Sequence, residues 1–133
     1  MKSTEFPWPD TAFVRRLTTK DRRPNLLVRC HRGRADRVVQ TLMQSCEHPF
    51  HVCTLPGPLE LPSHETGTFF LKNASGLTLA QQIQLQNWMS RSLGQIQMIS
   101  VVFDPLYPMV EQGQFLAGLF YRLNVVSLEA ETR

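Results

Sequence analysis

No apolar run in this sequence approaches the ~18 residues that a membrane-spanning helix needs. The opening segment, MKSTEFPWPD, has no apolar core stretch, which argues against a signal peptide there. Cysteine is scarce: three residues, an odd count at irregular spacing. That speaks against an extracellular disulfide framework and makes a reducing cytoplasm the expected compartment. Charge is thin as well, at 19% of residues. Extended disorder is nonetheless not expected, because 42% of residues are hydrophobic and a chain of 133 can bury a core unaided. There is no internal repeat and no low-complexity tract. The organisation expected is an extended lead-in over 1–9 and one α/β domain over 10–133.

The little charge there is lies unevenly. Residues 1–37 carry ten Lys+Arg and four acids, whereas 38–133 carry four Lys+Arg and seven acids. Nine of the basic residues fall between Arg15 and Arg37. Such a stretch suits nucleic acid, phosphates or an acidic partner. It also suits a plain solvated face, and no exposed aromatic or groove-entering helix singles out nucleic acid.

Periodicity places the elements. Pro7 and Pro9 around Trp8 keep the lead-in extended. Asp10 caps a helix over Thr11–Thr19, with Phe13, Val14 and Leu17 as its stripe. Asp21 to Asn25 reads as a basic turn. Asn25–Cys30 is a buried strand, His31–Asp36 a charged loop, and a helix then runs to about Cys46 with Val38, Val39, Leu42 and Met43 on one face. Pro49–Thr54 is a second strand, and the proline-rich Leu55–Glu65 a loop. Gly67–Lys72 is a third strand. Thr78 with Gln81 three residues on is a capping box. It opens a helix to about Ser92 that offers Leu79, Ile83, Leu85, Trp88 and Met89 for packing. Ile96–Phe103 is a fourth strand, followed by a short helix near Met109, a helix within Gln114–Leu123, and a fifth strand over Asn124–Leu128. Strands alternating with helices predict a parallel sheet, and near-continuous apolar strands predict that both its faces are covered.

Three blocks carry a resemblance. Gly67-Thr68-Phe69-Phe70-Leu71-Lys72-Asn73 resembles the GTLFLDE segment of the AAA+ domain in sigma-54-dependent transcriptional activators. Leu77-Thr78-Leu79-Ala80-Gln81-Gln82-Ile83-Gln84-Leu85 is similar to their L-x-L-x-x-Q-x-x-L helix. Gly113-Gln114-Phe115, continuing through Leu119-Phe120-Tyr121-Arg122-Leu123-Asn124-Val125-Val126, resembles their G-x-F-R-x-D-L-Y-Y-R-L-N-V run. The resemblance spans about residues 10–128 and is strongest after 66. It implies the α/β subdomain of a P-loop NTPase, with five parallel strands in the order 5-1-4-3-2. The family's helical lid and helix-turn-helix have no counterpart within these residues.

Matched position by position, the resemblance also implies lost chemistry. A phosphate loop needs glycines whose backbone N–H groups wrap the phosphates, and a lysine that reaches them. Here the matching positions hold Cys30, Gly33, Ala35 and Asp36, so only Gly33 is kept and Asp36 stands in the lysine's place. Arg32, Arg34 and Arg37 restore charge but not a cradle; a residual anion site at the helix start is the alternative. The family's magnesium-binding Asp and water-polarising Glu are Lys72 and Asn73. Its Thr-Asn sensor pair is Val102-Phe103. Of its two late arginines, one is Leu116 and the other is kept as Arg122, for which a structural ion pair or a helix C-terminal cap is expected. The loop that carries GAFTGA in the family is reduced to LPGPLELPSHET.

Two further groupings are weighed on their residues alone. Cys46, His48, His51 and Cys53 form C-x-H-x-x-H-x-C, four zinc-capable ligands at a spacing unlike structural zinc sites. Buried cysteines and partly exposed histidines are the expectation. Cys30, beside His31 and Arg32, is either a thiol activated by cations or a small buried residue, and the second is expected. No catalytic residue, metal, ATP or magnesium is expected. The expected function is a sigma-54-activator-like pseudo-ATPase domain acting as a regulatory protein-interaction module in bacterial transcription. An AAA+ activator or a second copy of the chain is its expected partner. A weak nucleotide or anion sensor, and a nucleic-acid module using residues 15–37, are the alternatives.

Overall fold

The structure, a computed structural model, describes residues 11–19, 23–63, 66–92 and 95–130. The lead-in with Pro7, Trp8 and Pro9, the Asp10 cap, the side chain of Phe13, position 20 and positions 21–22 of the basic turn lie outside the described residues.

The elements follow the predicted alternation: α1 (Thr11–Thr19), β1 (Leu26–Arg29), α2 (Ala35–Met43), β2 (Phe50–Thr54), β3 (Gly67–Lys72), α3 (Leu79–Arg91), β4 (Ile96–Val102), α4 (Tyr107–Glu111), α5 (Ala117–Leu123) and β5 (Val126–Glu129). All five strands pair in parallel, in the order β2-β3-β4-β1-β5, which read from the other edge is 5-1-4-3-2. No helix among the described residues is long and apolar enough to cross a membrane.

The alternation of side chains across the sheet builds two apolar layers. Phe69, Leu71, Met98 and Val102 face one way and meet Leu85, Phe115, Leu119 and Leu123 from the α3–α5 side. Phe70, Ile99, Val101, Leu26 and Val28 face the other way and meet Val14 of α1 and Val38, Val39 and Leu42 of α2. Phe69, Phe70 and Leu71 are fully buried. Each such side chain contributes about 1.5–3 kcal/mol.

Several boundaries differ from the sequence reading for physical reasons. The stretch His31–Asp36 is not an open loop: Arg32–Arg34 form a 3-10 turn and Asp36 already lies in the first turn of α2. Coverage of both faces holds for β3 and β4, whose residues are buried up to the half-buried Lys72. It fails for the edge strands β2 and β5, where exposed positions interrupt the run. The packing expected of α3 is corrected too. Leu85 is buried and Trp88 and Met89 lean on the core, but Leu79 and Ile83 are 52% and 49% exposed.

Gln82 takes the inward position instead. Its Nε2 donates to Leu77 O and Gln114 O, and its Oε1 accepts from Leu116 N at 2.8 Å. A buried amide is tolerated because its groups are bonded, and here it ties α3 to the segment entering α5. The capping box forms as read: Thr78 Oγ1 accepts from Gln81 N at 3.1 Å, and Gln81 Oε1 from Thr78 N at 2.9 Å. On the other layer Gln97 Nε2 donates to Leu17 O and Pro24 O, fastening α1 to β4, while its Oε1 has no partner among the described residues.

Candidate functional site

In open parallel sheets, ligands sit beyond the carboxyl ends of the strands. Here that rim is made by Cys30 after β1, Lys72 and Asn73 at the end of β3, and Phe103 after β4. Cys30 N donates to Val102 O and Asn73 N to Val101 O, so the three strand ends are laced together one residue beyond the sheet.

The loop from β1 to α2 spends its amides internally. Gly33 N donates to His31 Nδ1 at 3.2 Å and Arg34 N to His31 O at 2.9 Å. Ala35 N donates to Arg32 O. A phosphate cradle needs such N–H groups turned outward to an anion; these three are turned into the turn itself. Gly33 is not held by close approach either, since a Cβ there would meet only His31 ring atoms at 3.6 and 3.9 Å. Arg32 lays its guanidinium over the Phe103 ring, 4.4 Å from the centroid, a cation–π contact.

The oppositely charged Asp36 and Lys72 find each other. Lys72 Nζ donates to Asp36 Oδ1, an ion pair that joins the end of β3 to the first turn of α2. The Lys72 side chain is 21% exposed and that of Asp36 79%. Asn73 sits in the left-handed region at φ 67, where Asn is among the few side chains tolerated. Its Nδ2 donates to Leu55 O and its Oδ1 accepts from Ser75 Oγ. It is a turn-forming residue at this position, with both side-chain groups engaged in the fold.

Arg122 reaches α3: its Nη1 donates to Ser90 Oγ at 2.7 Å and Gln86 O at 3.4 Å. These are hydrogen bonds to a helix flank, rather than the expected ion pair or C-terminal cap. Gly118, one turn earlier, permits that approach, because a Cβ there would come within 2.8 Å of Gln86 Nε2.

His51 and Cys53 share the α3 side of β2, but each is engaged with the loop that follows. His51 Nε2 donates to Glu60 O at 2.7 Å, and Cys53 Sγ to Pro58 O at 3.5 Å. Cys46 is buried in the other layer, and His48 stacks edge-on with Phe50. Among the described residues, no group of three or more His, Cys, Asp or Glu could hold a metal ion.

Cations do not activate Cys30: burial pushes its thiol pKa up. Burial acts more strongly on Cys46, raising its pKa from 9.0 to about 12 against the smaller downward pull of Thr68 and Arg23. The folded state therefore holds that proton more tightly than the unfolded chain. Its contribution to stability is intact below pH ~9 and is lost as pH rises toward ~12. Melting temperature should fall across pH 9–11, and Cys46→Ala should flatten that slope in thermal scans.

No family model and no curated protein matches the sequence. Solved structures do. NtrX from Brucella abortus in complex with ATP superposes with a TM-score of 0.72 at 16% identity, over 90% of this chain and 35% of that one. The same protein in complex with ADP gives 0.71 at 15% identity, over 90% and 34%. The P-loop NTPase domain of the sigma-54 transport activator from E. coli gives 0.63 at 15%, over 92% and 94%. The fold is that of a sigma-54 activator NTPase domain. The chain spans about a third of the NtrX chains, but nearly the whole of the isolated NTPase domain.

The sequence blocks thus led to the right fold, and the structure places the residues matched to the family's phosphate loop and Lys72–Asn73 on one rim. Arg122 lies apart, against α3. Sequence reading named Asp36 and Lys72 separately and missed that they pair. The available signal was opposite charge at the two positions that the resemblance matched, an acid at 36 and a lysine at 72.

Proposed function

We propose that this chain is a sigma-54-activator-like pseudo-ATPase domain, one that keeps the NTPase fold without binding or hydrolysing ATP. The observation that carries the reading is the Asp36–Lys72 ion pair at the rim. A triphosphate with magnesium needs a cation at the first position and an anion at the second. Here each would repel its ligand, and each is already matched by the other. The inward-turned amides of Gly33, Arg34 and Ala35 support the same reading.

With the chemistry gone, the role is regulatory binding in bacterial transcription control, in the cytoplasm. The partner is an AAA+ activator or a second copy of this chain. The exposed Leu79 and Ile83 of α3, together with Tyr107 and Tyr121, support a protein-facing surface.

Calorimetry with ATP and ADP, with and without magnesium, should give no binding heat. Micromolar binding abolished by Arg34→Ala would overturn the reading. Heat that is indifferent to magnesium would instead favour an anion sensor at the rim.

A further inference from the structure

The opposite end of the sheet holds a cavity that the rim does not explain. It has a volume of about 220 Å³ and lies under the amino ends of β1 and β4. β4 is seven residues long, so this end is about 20 Å from the rim. Trp88 and Met89 of α3 form one wall, and Ile96 and Met98 of β4 the other. Arg23 and Ser92 also line it.

The walls specify a ligand class. Trp88 is fixed edge-on against Phe69, with ring centroids 5.7 Å apart, so it presents a stable aromatic surface. Met89 beside it is half-buried, and its thioether is adaptable and favours aromatic partners. Asn25 also lines the cavity but is committed to the fold: its Nδ2 donates to Arg122 O, and its Oδ1 accepts from Met98 N.

The charged group is Arg23, whose side chain is 15% exposed and pairs with Glu47 at 2.5 Å. A guanidinium fork matches carboxylate geometry, and its five donors accommodate more than one oxygen partner. Glu47 beside it disfavours a dianion such as phosphate. A volume near 220 Å³ is enough for a single ring.

We propose that this cavity binds a small planar aromatic monocarboxylate, with its ring against Trp88 and Met89 and its carboxylate on Arg23. The site is independent of the nucleotide reading, because it shares no residue with the rim.

The test uses the full chain carrying Trp8→Phe, which leaves Trp88 as the only indole. Benzoate should quench Trp88 fluorescence saturably with a Kd of about 1 mM, as fits a ligand of so few atoms. Benzamide should bind about tenfold more weakly, because it lacks the charge-assisted contact. Arg23→Gln should cost benzoate a similar factor. Since that change also breaks the pair with Glu47, Ser92→Phe serves as a second variant that plugs the cavity and leaves the ion pair alone. A thermal melt shows whether each variant is folded. Loss of binding in folded Ser92→Phe supports the proposal. Absence of saturation at about 20 mM benzoate, twentyfold above that Kd, overturns it. So does equal affinity for benzamide, or unchanged benzoate affinity in folded Ser92→Phe.

Discussion

Gly67→Ala should lower stability by about 3 kcal/mol, combining backbone strain with overpacking. Gly67 opens β3 at φ +110, a conformation L side chains rarely adopt. A Cβ there would lie 2.9 Å from Pro49 N and Cδ and would run into Pro49 O. The obstacle includes backbone, and Pro49 O is the atom that accepts from Thr68 N at 3.0 Å. Relief would therefore move the first rung between β2 and β3. Gly113→Ala separates the two causes. Gly113 also has positive φ, at +77, but a Cβ there would have nothing within 4 Å. It should lose only about 1 kcal/mol, from backbone strain alone. Urea midpoints at unchanged m-value would show the difference. Equal losses in the two variants would contradict the steric account.

Gly67 also marks where the sequence was most readable. GTFFLK is apolar, β-rich and bounded by Gly and Asn, and it forms a strand with the predicted limits. The order of blocks around it led to the sheet order, which no local signal encodes. Helix faces were less readable. The pattern of α3 offered Leu79 and Ile83 to the core, yet Gln82 goes in, because its amide can bond three backbone groups that only the folded chain brings together. The same limit applied at the rim. Positional comparison flagged Cys30, Gly33, Ala35, Asp36, Lys72 and Asn73, but not the destination of their hydrogen bonds. Asn73 was read as a lost base. Its φ of 67, a backbone conformation that Asn tolerates, could not be read from that comparison. Trp88 and Met89 were read as packing residues; that they border a cavity depends on Arg23 and Asn25, which are brought to them only by the folded chain.

The charge inversion at the rim makes a quantitative prediction. Asp36→Lys sets a lysine against Lys72, whose side chain is mostly buried and would lose its counter-ion. Lys72→Asp replaces the counter-ion with a second carboxylate facing Asp36. Leaving a partly buried charge unmatched costs about 1–3 kcal/mol. The exposure of Asp36 screens the pair, so about 2 kcal/mol is expected for each single variant. The double variant, Asp36→Lys with Lys72→Asp, rebuilds the pair with its polarity reversed. It should return to within about 1 kcal/mol of the parent, giving a large favourable coupling in the cycle. Losses that simply add to about 4 kcal/mol would show that the two side chains do not sustain each other. The double variant is informative in a second way. It puts Lys and Asp at the positions matched to the activators' lysine and magnesium-binding acid, yet phosphate release from ATP should stay at background. Asn73 still offers no base, and the amides of Gly33, Arg34 and Ala35 still point into their own turn. Restoring the charge at two positions therefore should not be enough: a phosphate also needs outward-turned amides, which this loop spends on itself.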